Sequence, residues 1–513
     1  MSREILICVM TKKSFLILFT ALAAASVVFA ASSVEQYGIT WKFDKDYPTG
    51  QFITGDWWVV GPVKVVSVTP APCEGQTPGD EHRSIYGAAS TRPDTSMRNG
   101  SMIAAHPSAK QGFDSRVRDY DADLSVQFPV TVEPGQSLIS TISNGDEMSP
   151  ALARDLLWTS EKQQFFALKT GAVLTVLDKE PPANAFRPAF VGTAGKPRKI
   201  FTRDQLDTSK LLKLEAAPGM PDVAQFERYY ERPYITDIAT TWVTQVLGPN
   251  ENQPCYGREV TRISGIIGLM LNSDIPMEKK EKLLVGFVQN GIDVYGLVSG
   301  EVRREYEGAG GFWSGRKFPV FLAGYLLNEP EMLNARDLTI FSEDQQTHYG
   351  EGWAGQKAHF QNGFHSVPVH PYEHKKPEDW DVNENRSEAY RSNNSVSWPA
   401  TALAVRLMGL IKEWNHDAWF DYCDRVMSAE DPYTEGRKVS SDPAHQVRPD
   451  FEGGKTHDPW VNAMWKKHRP TAPTPQWAGN PRMWIWTDTT WNAPKGKWVD
   501  NPKPAEPAEN YVP

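Results

Sequence analysis

The apolar pattern of this chain changes period once, between residues 200 and 225, and that change limits what the chain can fold into more than any motif does. Before it come short runs rich in aromatic and β-branched residues, punctuated by Gly and Pro. They read GITWKFD, GQFITGDWWVVG, VKVVSVTP, DLSVQFPVTVEPGQSLISTIS with its internal PG turn, and AVLTVLDKE. Such runs predict the strands of a sandwich or layered antiparallel sheet. After the change, six runs repeat their apolar residues at helical spacing. They are FERYYERPYITDIATTWVTQVLG, REVTRISGIIGLMLNSD, MEKKEKLLVGFVQNGIDVYGLV, GRKFPVFLAGYLLN, SWPATALAVRLMGLIKEW and HDAWFDYCDRVM. Pro276, in SDIP, marks the start of the third. Stretches such as SGIIGLML are apolar almost all round, as helices buried on every side are. That many helices, joined by loops of unequal length, fit an α/α toroid better than a four-helix bundle. The expected fold class is therefore α+β and multidomain: an N-terminal antiparallel β domain followed by an α/α toroid, an incomplete barrel.

Four segments follow. Residues 1–30 read as a signal peptide, 31–215 as the β-rich domain, 216–432 as a catalytic toroid, and 433–513 as a C-terminal extension rich in Trp and Pro. In the first, Lys12 and Lys13 precede SFLILFTALAAASVV, and small residues close the run before Ala31. A basic start, a short apolar core and small residues at the cut form a secretory address. The chain is thus expected to be secreted or periplasmic, with no membrane attachment after cleavage. Residues 1–30 carry Arg3, Lys12, Lys13 and Glu4, so their loss takes the net charge from −9 to −11. A chain that acidic has no general field for nucleic acid or an anionic surface. A polyanionic substrate would need a local basic patch, for which Arg303, Arg304, Arg316 and Lys317 are candidates. Cys73, Cys255 and Cys423 remain, too few for a disulfide framework in a secreted chain of this size. Their spacing leaves any pairing open.

Chemistry-bearing side chains concentrate between Phe341 and Asn394. Five of the eleven histidines lie there: His348, His359, His365, His370 and His374. With them stand Tyr349, Tyr372, Tyr390, Glu343, Asp344, Glu351, Arg391, Asn393 and Asn394. A long polar segment between buried helices forms a cleft more readily than a core, and long loops in compact domains tend to be functional. The histidine spacings of 11, 6, 5 and 4 match no standard zinc pattern. No cofactor is expected, and a metal there, if any, would be structural. Just upstream, GAGGFWSGRKFP sets Phe312, Trp313 and Arg316 among glycines that let a ligand approach the backbone.

The order of three motifs resembles that of polysaccharide lyase family 38, whose members act on alginate or glucuronan. The motifs are Asn290 in FVQNGIDVYG, His348 in THYGEGW and Tyr390 in SEAYRSNN. The resemblance lies in the helical half and leaves the β domain unmatched. It implies a secreted lyase that cleaves a uronic-acid-containing polysaccharide by β-elimination. The chemistry asks for the same residue types. The C5 proton of a uronate is weakly acidic until its carboxylate is neutralised, so a donor must hold that group and the enolate-like charge behind it. A Tyr or His must take the proton, and a Tyr often returns one to the O4 leaving group. On this reading Tyr390 and His348 are the proton-transfer pair, and Asn290 with Arg391 or Arg316 holds the carboxylate. Arg316, Trp313, Tyr349, Trp353, Glu351, His365, Asn394 and Arg304 would bind the anionic polysaccharide substrate.

Two other functions fit the same segments. A toroid-type glycoside hydrolase would draw two carboxylates from Glu343, Asp344 and Glu351, set about 6.5–9.5 Å apart if it inverts. A non-catalytic glycan-binding protein would offer aromatic platforms without an aligned base and acid. His416, in EWNHDAWFDY, reads as structural, opening a helix with Asn415 as its cap.

Overall fold

The structure is a computed structural model. It describes residues 29–72, 97–104, 110–117, 120–144, 166–192, 198–238, 247–254, 256–300, 306, 308, 310–350, 352–362, 372–428, 454–473, 489–492 and 497–500. Most of the expected signal peptide lies outside these residues, as do Cys73, Cys255, Arg304, Glu351, His365 and His370.

Eight strands build one sheet: β1 (Phe29–Gln36), β2 (Ile39–Gln51), β3 (Trp57–Val60), β4 (Val63–Thr69), β5 (Ser101–Ile103), β6 (Val130–Val132), β7 (Ser137–Ser143) and β8 (Leu168–Leu177). Their order is β5-β7-β8-β3-β2-β4-β6, with β1 also paired to β2, and the sheet curls into a nearly closed barrel. The expected antiparallel domain is in fact mixed, because β3 and β8 run parallel, Trp57 opposite Leu174 through Val60 opposite Leu177. Period-two alternation gives the sheet two buried faces. Leu138, Leu174 and Val176 pack with Trp41, Phe43 and Val65 in one cluster. Ile139 and Val173, one residue out of step, pack instead on Phe190, Ile235 and Leu297 from beyond the sheet. A cut after Ala30 would remove the first two residues of β1.

Eleven helices are described: α1 (Val223–Glu227), α2 (Gly257–Leu271), α3 (Met277–Ser299), α4 (Lys317–Leu326), α5 (Pro330–Leu333), α6 (Ser342–Gln345), α7 (Val382–Asn394), α8 (Pro399–Leu407), α9 (Ile411–Trp414), α10 (Asp417–Val426) and α11 (Pro459–His468). They do not form the expected α/α toroid. Only α2, α3 and α7 exceed ten residues. The helices pack as local partners, α3 on α4 and α2 on α8, with α8 also meeting α10 and α11. Two of the apolar runs are broken by their own residues. Pro233 disfavours helical geometry at Arg232, so the run from Val223 yields α1 and two 3₁₀ turns, Arg228–Tyr230 and Ile235–Ile238. Gly409, at φ 73°, ends α8 and separates it from α9. α3 does begin directly after Pro276.

One large apolar core joins residues from Phe186 to Ala472, including Ile267, Phe287, Phe318, Trp398 and Trp414. From the C-terminal extension α11 inserts Trp460 and Met464 into it, and Trp460 Nε1 donates to the Ala217 carbonyl at 3.1 Å. Cys423 on α10 is a buried free thiol. No helix among the described residues is long and apolar enough to cross a membrane.

Candidate active site

The polar segment folds as α6, then a hairpin of β9 (Thr347–Tyr349) and β10 (Ala358–Phe360), then α7. Alternation along β9 decides which side chains are available. Thr347 and Tyr349 face α10: Thr347 Oγ1 meets His416 Nε2 at 2.9 Å, and the Tyr349 hydroxyl donates to Asp421. His348, between them, takes the other face. It stands directly opposite His359, with ring centroids 5.4 Å apart at 88°. Burial holds the His348 imidazole well below the usual histidine range, and His359, His416, His374 and Arg425 push it the same way. The ring is therefore neutral at neutral pH. His359 is also pushed down, first by burial, and its Nε2 meets the Gln356 carbonyl at 2.9 Å. A carbonyl only accepts, so that nitrogen carries the proton and Nδ1 is the basic one.

The glycine-rich loop before α4 joins this hairpin to α7. Gln346 Nε2 and Asn394 Nδ2 both donate to the Gly310 carbonyl. The Gly310 N–H donates to Asn362 Oδ1 at 2.9 Å, and the Gly308 N–H to Gln345 Oε1 at 2.6 Å. Gly310 sits at φ 79°, and a Cβ there would lie 2.7 Å from the Tyr390 ring. Only glycine allows that approach. Tyr390 thus packs on a loop tied by Gln346, two residues before His348, and by Asn362, two residues beyond β10. Asn393, on the last turn of α7, accepts from Arg258 through Oδ1. No described residue accepts from the NH₂ groups of Asn362 or Asn393.

Several expected site residues are committed elsewhere. Arg391 is fully buried; its guanidinium forks onto both Glu388 oxygens at 2.9 Å and reaches the Tyr422 hydroxyl at 3.3 Å. The Tyr372 hydroxyl donates to the same carboxylate at 2.8 Å. Arg316 donates to Asp237 at 3.1 Å and to the Ser314 carbonyl at 3.0 Å. Both arginines therefore already have the anion that a buried cation needs. Trp313 is buried against Phe312, 4.3 Å between ring centroids, and presents no face to a sugar. Tyr349 is buried, its pKa raised by burial and by Asp421, and the Asn394 amide is held by Gly310. Trp353, in the turn between β9 and β10, is 39% exposed and remains available as a platform. Asn290 lies on α3 and faces a separate cavity whose lining includes neither His348 nor Tyr390. Asn415 does not cap α10: it closes α9 at φ 59°, and His416 itself stands at the N-cap.

The hydrolase acids are no freer. Asp344 takes the buried Lys317 ammonium with both oxygens, at 2.7 and 2.6 Å. Glu343 is buried beneath the glycine loop, where its Oε1 accepts from the Gly315 N–H at 2.6 Å. Burial is the main cause that raises its pKa to about 7. A carboxyl raised in the folded state binds its proton more tightly there than in the unfolded chain. Its contribution is therefore complete at low pH and is lost as pH rises from about 4.5 to about 7. Glu343→Gln imitates the protonated acid. Its melting temperature should match the wild type in acid and exceed it above pH of about 7. Thermal unfolding across that window checks this, and a difference that shrinks with rising pH contradicts it.

No group of His, Cys, Asp and Glu among the described residues is arranged to hold a metal ion. The cradle of Gln345, Gln346 and Asn362 and the role of His359 escape a reading of the sequence. The available signal was the glycine-bearing turn YGEGWAGQ between HY and AHF, which marks a hairpin and so pairs His348 with His359. No protein-family model, curated protein or solved structure matches the chain.

Proposed function

We propose that this protein is a secreted polysaccharide lyase that cleaves a uronic-acid polymer by β-elimination at the His348–Tyr390 loop. One observation carries the reading: Tyr390 packs on a glycine loop that hydrogen bonds tie, through Gln346 and Asn362, to the hairpin bearing His348. His348 takes the C5 proton. The electron pair of that C–H bond becomes the C4–C5 double bond, the C4–O4 bond breaks, and the Tyr390 hydroxyl protonates the departing O4. With both arginines neutralised, the NH₂ groups of Asn362 and Asn393 are the donors left for the uronate carboxylate. Amides stabilise developing charge without a competing counter-ion. Trp353, exposed in the turn of the same hairpin, offers a stacking face. The signal-like segment at residues 11–31 accords with an extracellular polymer as substrate.

The test is incubation with a panel of uronate polymers, following the ultraviolet absorbance of the unsaturated sugar and, separately, new reducing ends. Both should rise together on at least one polymer. New reducing ends without absorbance would mean hydrolysis. Binding with neither would mean a glycan-binding protein.

A further inference from the structure

A cavity of about 560 Å³ lies between α3 and the β2–β3 turn, away from the hairpin. One face of α3 lines it, with Glu278, Glu281, Val285, Gln289 and Asp293 three or four residues apart. Its floor is a buried ion cluster. Arg187 donates to Asp56 at 2.7 Å and forks onto Asp293 at 2.9 and 2.6 Å, so two carboxylates share one cation. The rim repeats the imbalance. Among the described residues Glu227 meets only Lys282, at 3.6 Å, and Glu231 meets Arg232, which also serves Glu251. The lining holds six carboxylates against Arg187, Arg232 and Lys282, and a further cation, Arg203, reaches Glu281 from outside. Such a field disfavours a further anion and favours a cation.

Asn290 itself marks the cavity as a place for a ligand. It is 6% exposed, lines the cavity, and its amide makes no hydrogen bond among the described residues. An asparagine inside a helix is unfavourable unless its side chain finds a partner. The neighbouring Gln289 Oε1 is also buried with no partner among the described residues. At the mouth, Tyr37 sits at φ 54° in the turn between β1 and β2, a strained conformation for a bulky residue. It is held there by the Glu231 carbonyl, which accepts from its hydroxyl at 3.0 Å, and by Arg232, 4.0 Å over its ring. Strain of this kind collects at ligand sites.

We infer that this cavity binds a small protonated amine bearing hydroxyl groups, in the chemical class of an amino sugar, at a site separate from His348 and Tyr390. The ammonium goes to the carboxylates of Glu227 and Glu231. The hydroxyls go to the Asn290 amide, against the apolar walls of Val285 and Tyr230. The inference does not depend on the lyase reading.

Calorimetric titration of the full chain tests it, with glucosamine as probe and N-acetylglucosamine and glucuronate as the neutral and anionic comparisons. Glucosamine should bind at least about tenfold more tightly than either. Asn290→Ala and Glu231→Gln should each weaken it by about tenfold or more. Asn290→Ala removes no hydrogen bond among the described residues, so it keeps the test decisive even where Glu231→Gln fails to fold. Equal binding of glucosamine and N-acetylglucosamine overturns the inference. So does an Asn290→Ala variant that binds as the wild type does, or no binding of glucosamine up to its solubility limit.

Discussion

Tyr390→Phe is expected to slow cleavage of a uronate polymer by about 10²–10⁴-fold, the usual contribution of a positioned acid or base. The substitution keeps the ring against Gly310 and removes only the hydroxyl, so stability should change by about 1 kcal/mol at most. His348→Ala should lose rate by the same order, and the pair together little more, because one proton-transfer unit is broken only once. The pH profile adds a sharper readout. A base works only when deprotonated, and burial holds His348 well below the usual histidine range. The acidic limb of kcat/KM should therefore lie well below pH 6.5, with a flat profile through neutrality. An acidic limb at or above that value, or a Tyr390→Phe variant with near-full activity, would remove this pair from the chemistry.

Glu388→Ala should cost about 3–5 kcal/mol of folding stability, because it leaves the Arg391 guanidinium buried and unpaired. It also takes the acceptor from the Tyr372 hydroxyl. Replacing both partners, as Glu388→Met with Arg391→Met, should recover most of that loss, since an apolar pair of similar volume has no charge to desolvate. Denaturant unfolding of the two single variants and the double variant measures the coupling. If Glu388→Ala unfolds within about 1 kcal/mol of the wild type, the guanidinium is solvated and remains a candidate anchor for substrate.

What separates Arg391 from Tyr390 is helical geometry, and the sequence contains it. Adjacent helical residues point about 100° apart. Arg391 shares its face with Glu388, three residues back, and Tyr390 shares its face with Asn394, four residues on. SEAYRSNN therefore interleaves the Glu388–Arg391 ion pair with a row, Tyr390 and Asn394, that packs on the glycine loop. Its polarity concealed this, because no apolar stripe marks which face is buried. The toroid expectation failed for a related reason. Period 3.6 reports that a segment is helical and apolar, but says nothing about which helix it meets. Pro233 and Gly409 cut two long runs into short pieces, and short pieces pack on near neighbours.

The sequence by itself determined β2, β3, β4, β6, β7 and β8 but not β1 or β5, together with the start of α3 at Pro276 and the richness of the hairpin segment in proton-transfer groups, because these follow from local pattern and turn chemistry. Tertiary structure alone decided which of those groups is available. The parallel pairing of β3 with β8 joins residues more than a hundred apart in sequence, and the register of β9 on β10 sets His348 opposite His359. Whether an arginine meets a carboxylate of its own chain or stays free for a ligand depends on residues as distant as Arg316 and Asp237. Charge pairing is a matter of a few ångströms in space, and spacing along the chain carries no record of it.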